Sequence, residues 1–126
     1  MSTIIEQQKS RWADIFKHLQ GNGFEVYSPG VKIGDCLKPY IVVAHSGSTR
    51  RFGISTNEDY YSILCYVPQQ RYSDLEPLLL SVKAAMKNLE PMIFPRGDET
   101  PSFYDDTFKA HMISIMYKNY KKMLKM

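Results

Sequence analysis

A chain of 126 residues, 44% apolar and 23% charged, can bury a self-sufficient core as one domain over residues 1–126, which excludes wholesale disorder. No apolar run approaches the ~20 residues of a membrane helix, and Met1-Ser2-Thr3-Ile4-Ile5-Glu6 lacks the basic-then-apolar order of a signal peptide, so the expected compartment is the cytosol. The formal charge of +3 is mild but uneven: Lys118, Lys121, Lys122 and Lys125 crowd the C-terminal end behind an acidic cluster of Asp98, Glu99, Asp105 and Asp106.

In chain order, the first expected element is a helix from about Thr3 to Gln20. Thr3 and Glu6 have capping-box spacing, and Ile5, Trp12, Ile15, Phe16 and Leu19 recur as one apolar stripe. Gly21-Asn22-Gly23 ends it, because these residues tolerate the left-handed conformation of a helix C-cap. Phe24–Tyr27 alternates enough for a short strand, cut off by Pro29-Gly30. The stretch to Asp35 reads as an irregular arm packed on the sheet.

Tyr40–Ala44 is apolar and β-branched, a strand with both faces covered. Ser46–Glu58 reads as a polar loop, with Arg51–Ile54 extended at most locally. Tyr60–Val67 is a second strand, rich in aromatic and branched residues. A helix follows over about Asp74–Asn88, with Asp74 as the preferred cap because Pro77 then stays in the donor-free first turn. Leu75, Leu78, Leu79, Val82, Met86 and Leu89 form its buried face, while Lys83 lies off it.

Met92–Phe94 reads as a short strand between Pro91 and Pro95, and Arg96–Tyr104 as a mobile loop rich in turn formers. The last element, about Lys109–Tyr120, is ambiguous. His111, Ile113, Ile115 and Tyr117 alternate at period two and favour a strand over a helix through Met112, Ile115, Met116 and Asn119. The sum is an α+β fold: a small mixed or antiparallel sheet packed against an N-terminal helix and a central helix.

Chemistry is sparse. His18, His45 and His111 stand alone, without HExxH or Cys/His spacing, and no GxSxG elbow supports a nucleophile beside His45. Cys36 and Cys65 form neither a CxxC pair nor a metal-spaced cluster and read as reduced thiols, Cys65 packing as a small apolar residue. No catalytic, cofactor or metal site is therefore expected, and a non-enzymatic role is. Gly47-Ser48-Thr49-Arg50-Arg51 lacks P-loop spacing and is either a plain hairpin tip or a contact loop, since Arg50, Arg51 and Phe52 combine charge, donors and an apolar anchor. Abundant tyrosine in the second half suits subunit contacts.

The order of elements resembles the small tail-completion proteins of long-tailed bacteriophages, the tail terminator and tail-to-head joining family. The residues carrying the resemblance are Pro39-Tyr40-Ile41-Val42-Val43, Tyr60–Val67, the helix Leu75–Leu89 and Ile113-Ser114-Ile115-Met116-Tyr117. It covers nearly the whole chain after Leu19 and is one of pattern and size, without a signature motif. It implies self-assembly into a ring, expected to be a hexamer, with tail-tube and head-connector proteins as partners. The implied locations are the bacterial host cytoplasm and then the virion. Such a protein caps the tail tube and joins it to the head. Arg50, Arg51 and Phe52 would anchor one contact, and Asp98, Glu99 and Tyr104 another, with arginines meeting acids across subunits. Alternatives are a head-completion or neck protein of the same particle, or a small nucleic-acid-binding domain using the lysines at positions 118, 121, 122 and 125.

Overall fold

The computed structural model describes residues 11–50, 56–90 and 93–122, with 48–50, 56–58, 98 and 120–122 described by backbone alone. The expected α+β fold is present: among the described residues, a six-stranded mixed sheet with two helices. The elements are α1 (Arg11–Gly21), β1 (Val26–Tyr27), β2 (Tyr40–Arg50), β3 (Thr56–Pro68), α2 (Leu75–Met86), β4 (Phe94–Glu99), β5 (Phe103–Asp105) and β6 (Ala110–Lys122). Short 3-10 turns, Gln69–Asp74 and Lys87–Leu89, flank α2. The sheet runs β1-β2-β3-β6-β4, with β5 also on β6. Among the described residues only the β1–β2 pairing is parallel.

The ambiguous last element is a strand. Its thirteen residues pair with β3 from Thr56↔Lys122 to Pro68↔Ala110, the longest ladder in the fold. Period-two alternation gives each sheet face its own cluster. One face carries Ile41, Val43, Ile63, Cys65, Ile115 and Tyr117 under α1 and α2, which contribute Ile15, Leu19, Leu75, Leu79, Val82 and Met86. Trp12 closes the edge of this core by donating its indole N–H to the Val43 carbonyl at 2.7 Å, and His18 Nε2 bonds the Ala85 carbonyl at 2.7 Å, tying α1 to α2. The opposite face carries a smaller cluster of Cys36, Tyr40, Tyr66, Ala110 and Met112, covered by the arm between β1 and β2.

Three expectations need correction. The polar segment Ser46–Glu58 is largely strand: β2 continues to Arg50 and β3 begins at Thr56, with Thr49↔Glu58 and Arg50↔Asn57 in register. A hairpin whose backbone groups are satisfied by a ladder needs no apolar alternation to persist. Arg96–Tyr104 is likewise not a loop. β4 runs through Pro95 and Gly97, and β5 follows, both on the sheet edge where a missing N–H and a bulge are tolerated. The central helix is shorter than expected, and neither Ser73 nor Asp74 caps it by a side-chain bond. The chain enters through the 3-10 turn, and the Asp74 carboxylate instead accepts from Arg71 Nε at 2.7 Å. The capping box at Thr3 and Glu6, and Ile5 of the apolar stripe, lie outside the described residues. Among those described, no helix is long and apolar enough to cross a membrane.

Candidate assembly surfaces

The expected contact loops change character once folded. Arg50 ends β2, while Arg51 and Phe52 lie outside the described residues. His45 and Ser46, adjacent in sequence, diverge at a β-bulge. His45 stays opposite Tyr61, with its Nε2 3.9 Å from the Asp59 carboxylate, whereas Ser46 hydrogen-bonds Ser62 across the ladder. No nucleophile–base pair forms between them.

The second expected contact, Asp98, Glu99 and Tyr104, is spread along β4 and β5. The Glu99 carboxylate is already paired with Lys83 of α2 in the same chain, which weakens its claim as the receptor for a neighbour's arginine. Asp98 is described by backbone alone. Tyr104 donates to Gln69 Oε1 at 3.1 Å, and its ring packs 5.4 Å from His111, which also meets Tyr72 at 4.7 Å. The expected basic tail is mostly strand: Lys118, Lys121 and Lys122 belong to β6, and Lys125 lies outside the described residues.

The tyrosines also divide. Tyr61, Tyr66 and Tyr117 are buried, so they build core and are not on offer to a partner, while Tyr72 and Tyr104 are exposed. Burial holds the Tyr61 and Tyr66 phenols above the ordinary value and pushes Tyr117 up to about 12. The Cys65 thiol, buried at the sheet centre, is likewise pushed up to about 12, and the Cys36 thiol is raised by burial. Both are free and protonated at neutral pH, which makes them poor nucleophiles. Among the described residues no group of three potential ligands is arranged to hold a metal.

Two surfaces missed by the sequence reading stand out. The first is the arm, residues 28–39. Gly30 and Gly34 adopt positive φ of 78° and 84°, conformations that let the chain turn tightly twice. The arm is pinned where the buried Cys36 donates its backbone N–H to the Phe108 carbonyl at 2.7 Å. It is pinned again where Lys32 lies 5.3 Å over the Tyr40 ring. Beneath it Tyr27, Tyr40, Tyr66 and Phe108 form a chain of ring contacts, Tyr40 stacking on Tyr66 at 4.9 Å. At its base Lys38 and Tyr27 hydrogen-bond Glu25, and these contacts hold the Glu25 carboxyl below the usual carboxylate range. From this anchored frame Val31, Ile33 and Leu37 point outward at 61, 80 and 84% exposure.

The second is a groove of about 520 Å3 on the helix-bearing side, between the start of α2 and the β4–β5 edge. Tyr72, Leu75, Pro77, Leu79 and Ile113 supply its apolar wall, and Glu76 and Glu99 its carboxylates. The Tyr72 and Ser102 hydroxyls bond across it at 3.0 Å, which fixes its mouth. Its lining comes from three separated segments, so no local motif announces it.

No protein-family model matches the chain, and no curated protein matches it significantly.

Proposed function

We propose that this chain is a non-enzymatic assembly protein of a long-tailed bacteriophage or prophage, a tail terminator or tail-to-head joining protein. It works as a ring of identical copies that caps the tail tube and joins it to the head, in the host cytoplasm first and then in the virion. The observation that carries the reading is the placement of exposed large apolar side chains. Among the described residues five of the seven fall in two separate patches, Val31, Ile33 and Leu37 on the arm, and Tyr72 of the groove with Tyr104, both packed on His111; Leu80 of α2 and Phe103 of β5 are exposed besides these. Closed rings need two different contact faces on every subunit, and clustered exposed apolar residues mark such faces. The family resemblance of the element order supplies the identity of the particle. The ladder of β2, β3 and β6 would carry the end of β2 at Arg50 toward a tube or connector.

The test is to add the purified protein to tail-tube subunits during polymerisation and image the products by electron microscopy. The expected result is rings on tube ends and arrested tube growth. Unchanged tubes, with the protein instead binding DNA in a steeply salt-dependent way, would replace this reading with the nucleic-acid one.

A further inference from the structure

We infer that the subunit-to-subunit contact is made by the arm of one copy seated in the α2 groove of the next. The inference rests on the ring-assembly reading and adds which surfaces meet. The two patches sit on opposite faces of the sheet. The arm packs on the side of Tyr40, Tyr66 and Met112, whereas the groove is built from Leu75, Leu79 and Ile113 on the helix side. One copy therefore cannot bring its own arm and groove together, but a second copy can.

Shape and charge both match. The arm shows three exposed aliphatic side chains; the groove offers a concavity with Tyr72, Pro77 and Ile113 in its wall beside Glu76 and Glu99. Lys32 stands between Val31 and Ile33. Its ammonium meets the Ile33 and Asp35 carbonyls and the Tyr40 ring and forms no ion pair among the described residues, with Glu25 acting on it only at longer range. Glu76 stands in the groove and forms no ion pair among the described residues, unlike Glu99, which Lys83 holds. Docking would draw the Lys32 ammonium from the Tyr40 ring to a direct counterion, Glu76, as the aliphatic side chains leave water. The arm is also ordered before binding, by Cys36 and by the Tyr40 stack, so little conformational freedom remains to be lost. A contact between two different faces is heterologous, so it propagates head to tail and closes only if its rotation divides a circle.

The test places the photoreactive residue p-benzoylphenylalanine at position 33 of the full chain, irradiates it at high protein concentration and maps intermolecular cross-links by mass spectrometry. Cross-links to residues 72–79 or 99–113 of a second copy are expected. Intermolecular cross-links that map elsewhere, or none at all, overturn the contact. In parallel, Ile33→Asp with Leu37→Asp should weaken self-association by roughly thirtyfold or more, the effect of losing an interface hot spot. Circular dichroism and thermal melting should stay unchanged, because both side chains are exposed. Lys32→Glu and Glu76→Lys should each weaken association, and the two variants mixed or combined should restore part of it; no rescue contradicts the pairing. If the wild-type chain associates but both charge variants and the double aspartate variant associate equally well, this contact is wrong while the ring reading stands. If cross-links form at the expected place but the oligomers grow without closing, the contact is right and the ring reading fails.

Discussion

The two faces of the sheet are built on different plans. Under the helices, Ile15, Leu19, Ile41, Val43, Ile63 and Val82 are completely buried, and mainly aliphatic packing, together with Tyr61 and Tyr117, fills the space. Under the arm, the cluster is aromatic and small, held by Tyr40, Tyr66 and Phe108, and the layer above it turns three aliphatic side chains to solvent. A segment that covers a core would ordinarily point its aliphatic residues inward. The arm uses Cys36 for that purpose and displays Val31, Ile33 and Leu37 instead. The difference concentrates buried packing on the helix face and leaves the arm's aliphatic side chains exposed for the association proposed above.

Substitutions can break or sharpen this division. The largest effect is expected from Ile63→Ala, which empties a fully buried site on the helix face and should cost ~2–5 kcal/mol in urea unfolding. A change below about 1 kcal/mol would show that this face is not where stability resides.

Alkaline pH tests what the faces share, since Tyr61 and Tyr117 are buried under the helices and Tyr40 and Tyr66 under the arm. Burial raises all four phenols above their ordinary value of 10, Tyr117 to about 12. A phenol raised in the folded state ionises first in the unfolded chain. Its contribution is therefore complete below pH 10 and is lost as pH rises toward the folded value. The melting temperature should fall steeply above pH 10, with the buried phenols ionising only as the chain unfolds. A single smooth phenolate titration without unfolding would contradict their burial.

Trp12→Phe keeps the ring but removes the donor to the Val43 carbonyl, and should cost ~1–2 kcal/mol at the β2 edge of the helix face. Native-state hydrogen exchange should show faster opening of α1 while the arm is unaffected. Equal loosening of the arm would mean that the faces are coupled. The smallest effect is expected from Ile33→Ser: within about 0.5 kcal/mol on stability, with a clear loss of association. A larger destabilisation would return Ile33 to the core and end the division.

Much of the helix face was legible in the sequence, because its signals are periodic. Ile15 and Leu19 repeat along a helix, Leu75, Leu79, Val82 and Met86 do the same, and Ile113, Ile115 and Tyr117 alternate along a strand. The edge was not legible. Pro95, Gly97 and Pro101 are turn formers by local chemistry, and only pairing with β6 makes Phe94–Glu99 a strand. The hairpin extension was missed because neither side of it needs apolar residues. The arm could be recognised as irregular and sheet-packed, but nothing local tells an outward Ile33 from an inward one. Tyrosine abundance misled in a physical way: an amphipathic ring suits an interface and a core equally, and Tyr61, Tyr66 and Tyr117 went to the core.

The most direct test of the central claim is the solution mass of the purified full chain, by light scattering across a wide concentration range and in the presence of tail tubes. A chain that builds closed rings through two different faces gives growth that stops at one discrete oligomer, a hexamer on the family resemblance, and tubes that end in it. A monomer at every concentration that also leaves tube ends bare would contradict the claim.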